Sequence, residues 1–363
     1  STCWRTKMLI VDGHEDIAFN MLSFGRDYTR SAFTIRRAEA SKPYLASTGN
    51  ALLGKRDWQR GEIGLIFATI YCLPERHSKR WAGMYYRTPQ EAYRQGRMQL
   101  DVYLRLVESD PQFRLVTDQK SLSALLDEHP TAAARAERPI GLLLLMEGAD
   151  PILDPDQVEE WYDYGLRIVG PAWAGTRYCG GSWEPGPLTR QGHALLDAMA
   201  SLNMILDLSH MSEQSCVEAL ERYEGLIIAS HANPRRFVLT DRGLSDGVIA
   251  DIAARDGVIG VVPYNAFLKP GWKPGDRKSE VTLDAVADAI DHICQVAGNV
   301  RHVALGSDFD GGLGCEHVPA EIRTVADLQK IAPRLLARGF TEEHIQGIFS
   351  ENWLRVLRKA LPA

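Results

Sequence analysis

The chain has 363 residues, enough for one large α/β barrel or for two average domains. Hydrophobic residues make up 45% and charged residues 24%, and the formal net charge is -6, so a large core is available and a general nucleic-acid footprint is excluded. Six cysteines (Cys3, Cys72, Cys179, Cys216, Cys294 and Cys315) are too sparse for a disulfide scaffold, and none forms a C-x-x-C pair that would suggest a thiolate zinc knuckle. No apolar run approaches a membrane span. Charged Asp12, Glu15 and Asp16 argue against a signal peptide in the first twenty residues, and the opening Ser-Thr-Cys without Met points to upstream processing. Cytoplasm is the expected compartment.

Lys7 to Asp12, KMLIVD, reads as a buried strand, and IGLIFATI at 63–70 as a second. A long helix is expected from Pro89 to Val107, with proline suited to its first turn. GLLLLMEG at 141–148 is a strand without alternation, and Gly165 to Val169 follows as another. A Gly/Trp/Pro-rich loop, PAWAGTRYCGGSWEPGP, comes next. Then helix and strand alternate: a helix at 189–200, NMILDLSH at 203–210, a helix from Ser212 to about Tyr223, and GLIIASH at 225–231. Val248 to Arg255 is helical, GVIGVVPY at 257–264 a strand, Leu283 to Ala297 a helix, and HVALGSD at 302–308 the last strand. From about Val325 the chain is helical, with Gly339 as a stop.

Apolar strands without alternation, each followed by a helix, specify a parallel sheet covered by helices. An expected count of eight fits a closed (β/α)₈ barrel, with the weakly patterned FRLVT at 113–117 as a further candidate strand. An open doubly wound sheet would carry a Gly-rich phosphate loop after the first strand, where VDGHED stands instead. No repeat or low-complexity linker divides the chain, so residues 1–363 are expected to form a single barrel domain with a helical C-terminal extension from about 325.

His14 and Asp16, Glu147, His210, His231 and Asp308 all fall at the C-terminal ends of these strands. In a barrel such ends converge on one mouth. Crowded acidic groups there are costly to bury unless cations compensate them. Residues two apart on an extended strand point to one side, so His14 and Asp16 can reach one ion; taken alone, His-x-Asp reads equally as a turn. Glu147 can bridge two cations through its two oxygens, or cap the next helix. The repeated apolar-run-then-Ser-His form at His210 and His231 is the sharpest local signal. The mixture of His, Asp and Glu suits zinc or a related divalent ion. Asp308 or Asp310 could take the proton from a metal-activated water, and Asp310 could instead brace the loop or a ligand. GSDFDGG does not match the spacing of an EF-hand loop.

These segments resemble the membrane-dipeptidase (renal dipeptidase) family of amidohydrolase-type barrels. The matching pieces are VDGHED at 11–16, MEGAD at 146–150, LTRQG at 188–192, LDLSH at 206–210, ASHANPR at 229–235, GSDFDG at 306–311 and ENWLRVL at 351–357. They span nearly the whole chain in order. The resemblance implies two zinc ions, with His14 and Asp16 on the first, His210 and His231 on the second, and Glu147 bridging both. It implies Asp308 as the acid/base and Arg242 as the group that holds the substrate carboxylate, with Arg235 and Arg236 as nearer alternatives. The implied reaction is hydrolysis of dipeptides, including L-D dipeptides, through a hydroxide shared by the metals. The implied partners are a small dipeptide or related amide and a second copy in a homodimer, without nucleic acid or a membrane span.

Two departures stand out. The family histidine that stabilises the oxyanion has no counterpart in RIVGPAWAGTRYCGG at 167–181, where Trp173 is the nearest match. EGAD at 147–150 replaces a commoner Glu-Gly-Gly-His. Trp173 favours, as the alternative, a binuclear hydrolase of N-acyl amino acids or another small amide. A non-enzymatic binding relative is opposed by the complete ligand set.

Overall fold

The structure, a computed structural model, describes residues 7–131 and 134–363; Cys3 lies outside them. Its centre is a curled parallel sheet built from β1 (Ile10–Glu15), β2 (Ile63–Tyr71), β3 (Ile140–Glu147), β4 (Leu166–Gly170), β5 (Ile205–Asp207), β6 (Ile227–Ile228), β7 (Ile259–Val261) and β8 (Val303–Leu305). The strands β1 to β6 pair in chain order, and β7 pairs with β8. Each gap between these two sets is crossed by one parallel bridge, Ala229 to Ile259 on one side and Glu15 to Phe309 on the other. The result is an α/β fold whose curled sheet resembles an incomplete TIM barrel.

The strand expected within 113–117 exists but has a different place. Phe113–Leu115 pairs only with the opening residues of β3 and lies off the path around the curl. Its Phe113 ring packs edge-on against Trp58, 6.1 Å between centroids, outside the sheet. The strands at 203–210 and 225–231 are also shorter than their apolar runs. Their last residues leave the ladder, and this departure carries Ser209, His210, Ser230 and His231 to the mouth.

The missing alternation has a direct physical cause, because both faces of the sheet are buried. Val11, Leu65, Phe67, Leu143, Leu145 and Ile168 belong to an inner cluster, whereas Ile66, Leu142, Leu144, Met146 and Val169 join the layer beneath the helices. The helices follow their sequence signals. Thr88 caps Pro89–Ser109 with proline in the first turn, Thr189 caps Arg190–Ser201, and Gly298, at φ 78°, ends Leu283–Ala297. No helix among the described residues is long and apolar enough to cross a membrane.

The end opposite the ligands is filled by the last helix, Asn352–Ala360. Trp353 and Leu357 enter the inner cluster. The Trp353 indole donates to the Leu305 carbonyl at 2.9 Å and packs on Phe67 at 5.0 Å. Asn352 donates to the carbonyls of Val300 and Val303, each at 2.8 Å. The main-chain carbonyls of Lys359 and Ala360 accept from Asn203, just before β5. Gly13 makes room for this plug, since a Cβ there would collide with the Trp353 ring and the Ser230 carbonyl. Trp353→Ala should lower the unfolding free energy by about 3–5 kcal/mol through cavity formation and the loss of the indole's bond. Urea denaturation of the metal-loaded protein measures this, and a change below about 1 kcal/mol would refute the plug.

Candidate metal centre and substrate cavity

Strand order brings the sequence-predicted residues together. His14 lies in β1 with Asp16 just beyond it, and Glu147 is the last residue of β3. His210, His231 and Asp308 follow the ends of β5, β6 and β8 at equal intervals, after Asp207, Ile228 and Leu305. His210 and Asp308 sit at φ 69° and 56°, a left-handed conformation that costs energy for residues with a Cβ and that clusters at functional sites.

Glu147 stands between two groups of donors. Its Oε1 is 3.0 Å from His210 Nε2 and 3.1 Å from His231 Nε2, and its Oε2 is 3.6 Å from His14 Nε2. His14 Nε2 is also 3.5 Å from Asp16 Oδ2 and 3.9 Å from Asp308 Oδ1. Two sets of ligand atoms are thus gathered closely enough to hold a cation each, His14 with Glu147 and His231, and His14 with Asp16 and Asp308. These sets support a binuclear metal site.

The far side of each imidazole is held by a hydroxyl. Ser182 Oγ lies 2.9 Å from His210 Nδ1, and Ser230 Oγ lies 2.8 Å from His231 Nδ1. Ser230 in turn donates to Asp207 at 2.5 Å, and Asp207 also accepts the main-chain N–H of Ser209 and of Ser230. Partners at Nδ1 fix the ring orientation and leave Nε2 aimed at the centre. The two Nε2 atoms face one another at 3.1 Å, an arrangement of two buried lone pairs that a shared cation relieves. Sequence reasoning missed Ser182 and Asp207; the Asp-x-Ser-His run in LDLSH held the signal for the latter.

The electrostatics agree with cation binding. Burial and then the charge of Arg242 push the His210 imidazole down to about 4. Burial, with His14 and Arg242, also holds His231 well below the usual imidazole range. Both rings therefore stay neutral, the form that ligates metal. Burial lifts Asp308 well above the ordinary carboxylate range, and the charges of Asp16 and Glu147 add to that rise. Gly311 closes the floor, because a Cβ there would strike the carboxylates of both Asp16 and Asp308.

Above this centre lies a cavity of about 350 Å³, lined by Glu147, Asp308, Arg242, Trp173 and several further aromatic rings. The three arginine alternatives differ in their surroundings. Arg235 is used up by Glu213, Asp241 and the Gly243 carbonyl. The Arg236 guanidinium lies beside the Phe237 ring, 5.9 Å from its centroid, and does not line the cavity. Arg242, only 7% exposed, donates Nη2 to the His231 carbonyl at 2.7 Å while its Nε and Nη1 have no protein partner. Asp310 also lines the cavity, and its carboxylate is held by protein partners, as the bracing alternative expects. One of its carboxylate oxygens accepts from the Leu52 N–H and the other from Tyr28 Oη, both at 2.7 Å, with Arg26 at 3.3 Å. It braces the loop from beneath.

A curled α/β sheet with paired His/carboxylate clusters at its mouth supports a metal-dependent hydrolase. The chain belongs to the membrane dipeptidase family, peptidase family M19, whose model matches residues 4–362. It is 26% identical over 97% of its length, and over 80% of the relative, to an uncharacterized dipeptidase of Schizosaccharomyces pombe. An uncharacterized Klebsiella pneumoniae protein encoded 5′ of pqqA is 31% identical over 62% of this chain and 83% of its own. The fold superposes with a TM-score of 0.79 on a Rhodobacter sphaeroides metallo peptidase liganded with a phosphinate mimic of L-Ala-D-Ala, at 21% identity over 98% of this chain and 100% of that one. A probable dipeptidase of Pseudomonas aeruginosa gives 0.78 at 20% identity, over 97% and 95%.

Because Glu147 faces both donor groups, Glu147→Gln should weaken the pair rather than a single site. Metal analysis after equilibrium dialysis is expected to fall from two divalent ions per chain toward one or none. Two tightly held ions in the mutant would contradict a shared carboxylate.

Proposed function

We propose that this chain is a zinc-dependent dipeptidase that hydrolyses short substrates with a free C-terminal carboxylate, including those ending in a D-residue, within a single (β/α)₈ domain extended at its C-terminal end from about 325. The observation that carries the substrate reading is the buried Arg242, which lines the same cavity as the ligand clusters and keeps two of its nitrogens without a protein partner. His14 and Asp16 would hold one ion, His210 and His231 the other, and Glu147 both. Zinc bound there supplies Lewis-acid charge for the scissile carbonyl and lowers the pKa of water.

The chain's own residues do the rest. Arg242, fixed by the His231 carbonyl, presents a guanidinium edge to the carboxylate, and a forked pair of bonds sets its distance from the scissile bond. Asp308 is held beside the donor clusters, with Oδ1 3.9 Å from His14 Nε2. It takes a proton at a carboxylate oxygen from the attacking water and passes it to the departing amine. A second reading, an N-acyl amino acid hydrolase, draws on Trp173, whose indole can donate one bond but cannot become a cation.

Asp308→Asn should retain most of its metal and lose turnover by about 10²-fold or more, since an amide cannot carry the proton. Rate constants normalised to measured metal content check this, and a near-normal kcat would remove Asp308 from the role. For Arg242, the decisive measurement is a cycle of kcat/KM values. Amidating the substrate C-terminus and making Arg242→Ala should each cost the parent about 10–10³-fold, while amidation costs the mutant little more. If the parent treats free and amidated dipeptides alike, the clamp is wrong and a different amide is the substrate.

A further inference from the structure

The same cavity has a second wall that the metal chemistry does not use. Three indoles meet there: Trp173 and Trp183 at 5.1 Å between ring centroids, Trp81 and Trp173 at 6.0 Å, and Trp81 and Trp183 at 6.1 Å. Trp173 also stacks edge-on against Tyr71 at 5.2 Å and stands 6.3 Å from the His210 ring. The indole cluster is therefore continuous with the ligand sphere.

We propose that Trp81, Trp173 and Trp183 form the subsite for the side chain of the residue that supplies the scissile carbonyl, and that the preferred dipeptides carry an aromatic side chain there. This deepens the dipeptidase reading and rests on it. Position around the curl assigns the subsite. Trp81 follows β2, while Trp173 and Trp183 follow β4. Arg242 follows β6, on the other side of the mouth, tied to the main chain of His231. A substrate whose C-terminal carboxylate rests on Arg242 must extend its other residue toward the β2–β4 arc. Its first side chain then meets the indoles.

The cost of the arrangement points to use. Trp183 sits at φ 61°, in the left-handed region that a bulky residue rarely adopts, at the turn between strands Cys179–Gly181 and Glu184–Leu188. It is also 47% exposed, so neither backbone preference nor core packing accounts for its place. The surroundings hold it there. Glu184 accepts Arg76 at 2.7 Å through each of its oxygens and His77 at 3.0 Å, which clamps the Trp183 hairpin to the loop that carries Trp81. Arg80 lies over the Trp81 and Trp183 rings at 5.6 and 5.0 Å. Asp150 accepts the Arg177 main-chain N–H at 3.2 Å and Tyr86 Oη at 2.5 Å, anchoring the start of the same loop. A preorganised aromatic wall favours a flat apolar side chain by stacking and edge-to-face contact, whereas a methyl group reaches little of it.

The test is a kcat/KM series on the metal-loaded enzyme with free dipeptides X-Ala, where X is Ala, Leu, Phe or Trp. Phe-Ala and Trp-Ala are expected to exceed Ala-Ala by about tenfold or more. That ratio should fall toward one in Trp183→Ala and recover in Trp183→Phe. Ala-Phe, which moves the ring to the Arg242 side, should show no such gain. Equal parent rates on Phe-Ala and Ala-Ala, or a ratio that survives Trp183→Ala, would overturn the proposal. If no dipeptide is hydrolysed, the dipeptidase reading fails separately. The subsite is then decided by calorimetric binding of phosphinate analogues of Phe-Ala and Ala-Ala. Tighter binding of the aromatic analogue by the parent but not by Trp183→Ala supports the subsite, and equal binding refutes it.

Discussion

Three carboxylates crowded around one point, Asp16 and Glu147 buried and Asp308 partly so, set the terms for everything else in this molecule. Asp16, Glu147 and Asp308 lie within reach of His14, and burial leaves their crowded charges little water to offset them. His14 illustrates the pressure: burial works against its protonation, yet Glu147 and Asp16 raise its proton affinity well above the usual imidazole range. A proton on His14 is a weak substitute for divalent charge. Two cations satisfy the oxygens and the facing Nε2 atoms of His210 and His231 at once. Metal binding and correct folding of this end are therefore linked, since the pocket is unfavourable without the ions.

The rest of the fold converts that demand into fixed geometry. The ladder stops early in β5, β6 and β8, and the residues beyond each stop bend toward the axis. Asp207 links two of these bends by accepting from Ser209 and Ser230. Asp12 ties a third by accepting the Ser307 N–H at 2.7 Å. The opposite end can be rigid and dry because Trp353 fills it. Stability at one end and chemistry at the other follow from the same parallel strand direction.

The substrate cavity joins two physically different walls. On one side a buried guanidinium with spare donors seeks an anion. On the other, indole rings offer area and polarisable faces but no charge. Trp173 stands between the indoles and the donor clusters, with 5.1 Å between ring centroids to Trp183 and 6.3 Å to His210.

Much of the site was legible in the sequence because its residues share one local signature. A buried parallel strand is an unbroken apolar run, so a polar residue at its end stands out, as Glu147 does after LLLLM and His231 after LIIAS. Family-like order then assigned the set, and the helices declared themselves through Thr88, Pro89, Thr189 and Gly298. The place of Phe113–Leu115 off the curl was not legible, because strand propensity does not encode which neighbour a strand pairs with. The family-like order selected Arg242, but sequence could not show how it differs from Arg235 and Arg236 in what already surrounds each guanidinium. It placed Asp310 near the ligand and could not show that Tyr28, Arg26 and Leu52 had claimed its oxygens. The meeting of Trp81 with Trp173 and Trp183 across separate loops belongs to the same class. The sequence by itself determined which chemical groups end the strands, since that follows from local hydrophobic pattern. Only the tertiary structure decided which of those groups remain free to bind, because a side chain's spare hydrogen-bonding capacity depends on partners brought from distant parts of the chain.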